Sequence, residues 1–174
     1  MNDNLYSPEY LHQITINWSR PIAWNNVDKY NKDWDGGLYY ITRTIHAKSG
    51  DSSTPIYIGK SIGKISKRVL SHSLNDSNCP FYAERGEFKV RFGRIVSPIN
   101  YMKHYHFNRL LLTIESALIQ EVKPKCNVSQ KNQYTPWYDL RIISIGYRDR
   151  IPGKINNRDH SNILPRPKWW DGQF

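Results

Sequence analysis

The sequence predicts a small α+β fold, a mixed or antiparallel sheet flanked by helices, with extensions at both ends. Three observations carry that prediction. Two short segments rich in Tyr, Ile and Thr follow each other closely, Gly37 to Ile45 and Ile56 to Ser61, which suits paired strands. A third segment, Glu87 to Val96, alternates Phe88, Val90 and Phe92 with Lys89 and Arg91, the two-residue period of a half-buried strand. A long segment from Phe107 to Val122 places Phe107, Leu111, Ile114, Leu118 and Val122 on the 3.6-residue period of a helix.

Taken in order, Leu11 to Trp18 alternates loosely and is expected to be a strand. The surrounding stretch to residue 36 is polar and aromatic, with Trp18, Trp24 and Trp34 but no amphipathic period. Asp35-Gly36-Gly37 signals a turn into the first tyrosine-rich strand. His46 to Pro55 is a polar loop, and the strand Ile56 to Ser61 would be the hairpin partner. Lys64 to Asn75 is expected to be a short helix. Pro124 ends the long helix, because proline cannot continue it. Leu140 to Tyr147 suits a later strand, and Pro165-Arg166-Pro167-Lys168-Trp169-Trp170 is irregular, expected to dock through its tryptophans. The chain shows no internal repeat and no low-complexity tract.

The 174 residues fit one domain with a real core, since a chain near 150 residues buries roughly two-thirds of its surface. Cys79 and Cys126 form neither a disulfide framework nor a metal-ligand spacing. With no leader-like segment and no apolar run of membrane-spanning length, a soluble cytoplasmic protein with no membrane partner is expected. Net charge is +10 and the isoelectric point is near 9.6. Residues 1–36 carry −2, residues 37–128 carry +8, and residues 129–174 carry +4. A plain basic surface explains solubility, but the excess gathers around the tyrosine segments, which favours a polyanion partner such as nucleic acid.

Individual side chains narrow the chemistry. Glu115 sits between Leu111, Leu118 and Ile119 on the long helix, beside the apolar stripe. A carboxylate half-buried there is costly unless it is paired with an arginine or binds a metal ion. Magnesium fits a lone carboxylate completed by water and substrate phosphate. Arg68 and His72 stand four residues apart on the short helix and share a face with Lys64. Arginine offers a planar donor fork to phosphate oxygens, and histidine moves protons near neutral pH. A solvated basic face is the plainer alternative. Tyr39 and Tyr57 lie on adjacent strands, where tyrosines are most often packing residues, and a phenol becomes a base only if cations lower its pKa. Lys60, Lys64 and Arg68 would do so if they converge. His104-Tyr105-His106 lacks a third metal ligand at a sensible spacing. Gly59-Lys60-Ser61 imitates the end of a phosphate loop, but Thr54 replaces its first glycine, which excludes that nucleotide-binding motif.

In this order, Gly37-Leu38-Tyr39, Tyr57-Ile58-Gly59, Arg68, His72, Glu115 and Asn127 resemble the GIY-YIG nuclease family, in the homing and restriction branch that has a histidine four residues after the arginine. Leucine replaces isoleucine in the first motif, and the loop between the two motifs is longer than in the shortest members. The resemblance covers residues 36–128 and implies a nuclease core there, with an N-terminal extension, 1–35, and a basic C-terminal extension, 129–174, packed on the core. It implies a Mg²⁺-dependent endonuclease, Mn²⁺ substituting, that hydrolyses phosphodiester bonds in double-stranded DNA. The implied catalytic set is Tyr39 as general base, Tyr57 positioning, Arg68 on the phosphate, His72 relaying the proton, Glu115 as metal ligand and Asn127 bracing the site. Candidate DNA contacts are Lys60, Lys64 and Lys67 near the second motif, Arg91 on the third strand, and Arg148, Arg150 and Lys154 in the C-terminal extension. A restriction-type or phage and mobile-element nuclease, acting alone or as a homodimer, is the leading expectation. A structure-selective repair nuclease, an interbacterial toxin nuclease and a non-catalytic nucleic-acid-binding protein on the same scaffold are the alternatives.

Overall fold

The computed structural model describes residues 12–30, 35–46, 48, 50, 52–72, 81, 84–96, 104–127 and 138–157. The elements in chain order are β1 (His12–Trp18), β2 (Ile22–Ala23), a 3-10 turn (Trp24–Asn26), β3 (Asp35–Ile45) and β4 (Ser52–Lys64). Then come α1 (Ile65–Leu70), β5 (Glu87–Ile95), α2 (His104–Val122), β6 (Leu140–Gly146) and β7 (Lys154–Asn156). The fold is α+β, as the patterning predicts. The strands form one sheet in the order β4-β3-β5-β1-β6-β7, with β2 added to β5 beyond β1. Only β1 and β6 pair in parallel, and the other pairs are antiparallel. The sheet curls: Ser53 Oγ on β4 donates to Asp149 Oδ2 in the β6–β7 turn at 3.3 Å, although these strands stand near opposite ends of the order.

Alternation sorts the core into two faces. Leu38, Tyr40 and Ile58 join Ile14, Ile16 and Trp18 of β1 against α2. Tyr39 and Ile41 join Val90 and Phe92 of β5 against Ile65 and Val69 of α1. The apolar stripe of α2 is buried as its period requires, and Thr113, Glu115, Ser116 and Gln120 are buried with it. After α2, Lys123 adopts φ +51° and its N–H bonds the Ile119 carbonyl at 2.9 Å, a left-handed cap just before Pro124.

Several boundaries differ from the sequence expectation. β4 begins at Ser52, inside the expected loop, because Ser52 to Pro55 pair with Thr42 to Ile45 after a register shift at Ile41/Thr42. Pro55 is tolerated because β4 ends the strand order. α1 closes at Leu70, and the rest of the expected helix to Asn75 extends beyond His72 into residues outside the description. β2 and β7 have no clear sequence pattern, being two and three residues long. The strands contributed from residues before 36 and after 128 belong to the same sheet as β3, β4 and β5. Trp34, Cys79, Arg158, Arg166, Lys168, Trp169 and Trp170 lie outside the described residues. Among the described residues, no helix is long and apolar enough to cross a membrane.

The free edge of β4 is covered by the segment after α2. Lys125 N–H donates to the Pro55 carbonyl at 3.1 Å and Cys126 N–H to the Ile56 carbonyl at 2.9 Å. Asn127 completes the row with its side chain: Oδ1 accepts from Ile58 N–H and Nδ2 donates to the Ile58 carbonyl, both at 2.8 Å. Replacing Asn127 by alanine leaves that buried peptide donor and acceptor without these partners, at about 1–3 kcal/mol for such a loss. Urea unfolding of Asn127→Ala should show that destabilisation with an unchanged m-value. Stability equal to wild type would show that the Asn127 bonds contribute nothing net.

Candidate active site

Tyr39 and Tyr40 are neighbours on β3, so they face opposite sides of the sheet. Tyr40 points to the α2 side, its ring under the Arg91 guanidinium at 5.8 Å, and its buried hydroxyl has no hydrogen-bond partner among the described residues. Tyr39 points to the α1 side and is 1% exposed, and its hydroxyl meets His72 Nε2 at 2.8 Å. The cross-strand partner of Tyr39 is Gly59. A Cβ at position 59 would fall 2.3 Å from the Tyr39 hydroxyl, so the second motif needs glycine there to make room for the first motif's phenol.

His72 lies just past α1, buried beside Tyr57 at 5.2 Å between ring centres. Burial, and secondarily the Arg68 charge, hold its pKa down to about 4. The imidazole is therefore neutral at physiological pH. Burial also pushes the Tyr39 phenol well up; the Tyr57 and Glu115 charges add to this, and Arg68 offsets it only in part, by charge and by hydrogen bond. The phenol stays protonated, so the Tyr39 hydroxyl and His72 Nε2 share a hydrogen bond between two uncharged groups. This corrects the expectation that surrounding cations acidify Tyr39: loss of hydration outweighs the one guanidinium that acts on it.

The expected residues fall into four groups. Tyr57, Arg68, His72 and Glu115 converge on Tyr39: each of the four hydrogen-bonds its phenol or shifts it by charge. With Tyr39 they arrive from β3, β4, α1, the turn after α1, and α2. Tyr57 is half-buried and stacks on Tyr39 at 6.0 Å; Arg68 is exposed, and Glu115 is 5% exposed. Asn127 acts at one remove, through the backbone between Tyr57 and Gly59. Lys64 and Lys67 are exposed around Arg68, while Lys60 Nζ donates to Asn108 Oδ1 of α2 at 2.7 Å.

The remaining cations lie elsewhere. Arg91 has a side chain only 12% exposed, bonded to Thr42 Oγ1 and 3.6 Å from Asp149, so its charge is committed inside the fold and not offered to DNA. Arg148, Arg150 and Lys154 belong to β7 and the turn before it. Ile151 of that turn packs into the α2-side core, and the Arg150 charge bears on Tyr40. That turn therefore packs on the α2 side of the sheet, the face opposite the Tyr39 ring. Asn108, Phe81 and the half-buried Glu84, which pairs with Arg43 and Lys125, were not anticipated. Asn108 has a legible signal, lying seven residues before Glu115 and so on the same side of α2.

Among the described residues, no three His, Cys, Asp or Glu side chains gather as metal ligands. The donor at the site is one hard carboxylate beside phenols and a guanidinium. That set fits Mg²⁺, which takes one or two carboxylates and fills its shell with water and phosphate, and does not fit a zinc site of imidazoles and thiolates. A scan against family models finds no match, and searches of curated proteins and of solved structures find none either.

The His72 environment gives a pH signature. A histidine whose folded pKa lies below its unfolded value near 6.5 contributes full stability above that value and loses it as pH falls towards the folded value of about 4. Unfolding free energies of wild type and His72→Gln, measured between pH 8 and pH 4.5, should run parallel above roughly pH 6.5. Below it, wild type should lose stability faster. Curves that stay parallel throughout would mean that His72 is solvated.

Proposed function

We propose that this chain is a Mg²⁺-dependent DNA endonuclease of the GIY-YIG type, and within that class a small restriction-type or mobile-element nuclease. One observation supports this most: four side chains of the motif pattern, carried on separate elements, act on the single Tyr39 hydroxyl. A packing role for Tyr39 and Tyr57 explains their burial but not a buried carboxylate, a neutral histidine and an exposed guanidinium around one phenol.

The proposed reaction is in-line attack of water on a phosphodiester. Water gives its proton to the Tyr39 oxygen as Tyr39 passes its own proton to His72 Nε2. No phenolate has to form, which suits a phenol that burial keeps protonated. Arg68 stands exposed at the rim, where its fork can hold two phosphate oxygens. A phosphate bound there also cancels part of the Arg68 field that lowers the His72 pKa. The imidazole thus becomes a better proton acceptor when substrate is present. Tyr57 fixes the Tyr39 ring by stacking, and Asn127 fixes the strand that carries Tyr57 and Gly59. Glu115 would hold the metal ion, which when bound supplies positive charge at the phosphate and at the leaving 3′ oxygen. Lys60, Lys64 and Lys67 add charge for neighbouring phosphates.

Supercoiled plasmid with and without Mg²⁺ provides the test. Wild type should nick only with the metal, and Glu115→Gln should abolish nicking while keeping the fold. Tyr39→Phe and Arg68→Ala should each slow it by at least about 10²-fold, the usual scale for a lost proton-transfer group or charge donor. Tyr39→Phe keeps the ring and removes only the hydroxyl. A full-rate Tyr39→Phe would return that residue to packing. DNA binding by wild type without any nicking would favour the non-catalytic alternative.

A further inference from the structure

The motif pattern leaves one wall of His72 unassigned. Phe81 fills it. It is 1% exposed, with its ring centre 5.6 Å from that of His72 and 6.0 Å from that of Tyr57. Behind Phe81 stand Trp24, edge-on at 5.7 Å, and Phe88, also at 5.7 Å, and those two meet each other at 6.2 Å. Edge and tilted contacts of this kind fix ring orientation as well as excluding water. Trp24 comes from the 3-10 turn, outside the segment that carries the nuclease-like motifs. The titratable groups that act on His72 come from the other sides: the Tyr39 hydroxyl from β3, the Tyr57 phenol from β4 and the Arg68 guanidinium from α1. Phe81, Trp24 and Phe88 add no charge and no acceptor.

We infer that Phe81, buttressed by Trp24, is a positioning residue for the Tyr39–His72 pair: its ring keeps water from the imidazole and holds Nε2 towards the tyrosine hydroxyl. The histidine ring torsion is intrinsically broad, so an imidazole without this wall turns and hydrates. Nε2 then accepts from water in place of the phenol, and the direction of proton passage is lost. The N-terminal extension thereby acts on the site without touching substrate. This inference rests on the nuclease proposal only in its consequence for rate.

The experiment is an NMR titration of the His72 ring in the full-length chain, from pH 4 to pH 8, for wild type, Phe81→Leu and Phe81→Ser. Wild type should stay neutral to about pH 5. Phe81→Leu keeps an apolar wall and should titrate as wild type does. Phe81→Ser admits water and should titrate higher by about one pH unit or more. The acid limb of plasmid nicking should move with it. If Phe81→Ser does not fold, Trp24→Ala carries the test and should raise the titration by several tenths of a unit. A folded Phe81→Ser or Trp24→Ala with wild-type titration overturns the inference, and so does a leucine variant that behaves as the serine one. The titration needs no cleavage. A shifted titration in a chain that never nicks DNA sinks the nuclease proposal and keeps the positioning role, and an unshifted one with Mg²⁺-dependent nicking does the reverse.

Discussion

The Tyr39 ring rests on bare backbone. Its place across the strand pair is open only because Gly59 has no side chain, and a methyl there would overlap the hydroxyl itself. That constraint ties the two tyrosine motifs into one object. The register that sets Tyr39 against Gly59 also stacks Tyr57 on the same ring and brings the hydroxyl to His72. Asn127 clamps both polar atoms of the Ile58 peptide, between Tyr57 and Gly59, so the chain returning from α2 locks the register from the sheet edge.

Burial acts on the two polar members in opposite directions and leaves both neutral. It raises the phenol and lowers the imidazole, so the hydrogen bond between them joins two uncharged groups. A neutral pair avoids the desolvation penalty that an enclosed tyrosinate–imidazolium pair would carry. The charges are distributed differently: Arg68 is exposed on α1, whereas Glu115 is enclosed on α2.

Much of this was legible in the sequence, for reasons that differ by residue. The long helix, the alternating strand β5 and the buried placement of Glu115 follow from period alone. The convergence of Tyr39, Tyr57, Arg68 and His72 does not. Each has a commoner explanation when taken singly, and only their order, by its resemblance to a known pattern, suggested a site. The protonation state of Tyr39 was misjudged because charge can be counted along a chain and burial cannot. Arg91 looked like a free cation for the same reason: nothing local shows that Asp149 folds back to meet it. β2 and β7 are too short for periodicity to register, and Phe81 is one aromatic residue in a segment without period, so its role emerges only from four rings meeting in space.

If Tyr39 and His72 form one proton-transfer unit, removing either should cost what removing both costs. A double-mutant cycle on Mg²⁺-dependent plasmid nicking, with Tyr39→Phe, His72→Gln and the two combined, measures this directly. The relay predicts that the double variant is no slower than the slower single variant, within about threefold, so that the coupling energy nearly equals the smaller single effect. Rate losses that multiply would show two independent residues and contradict the relay.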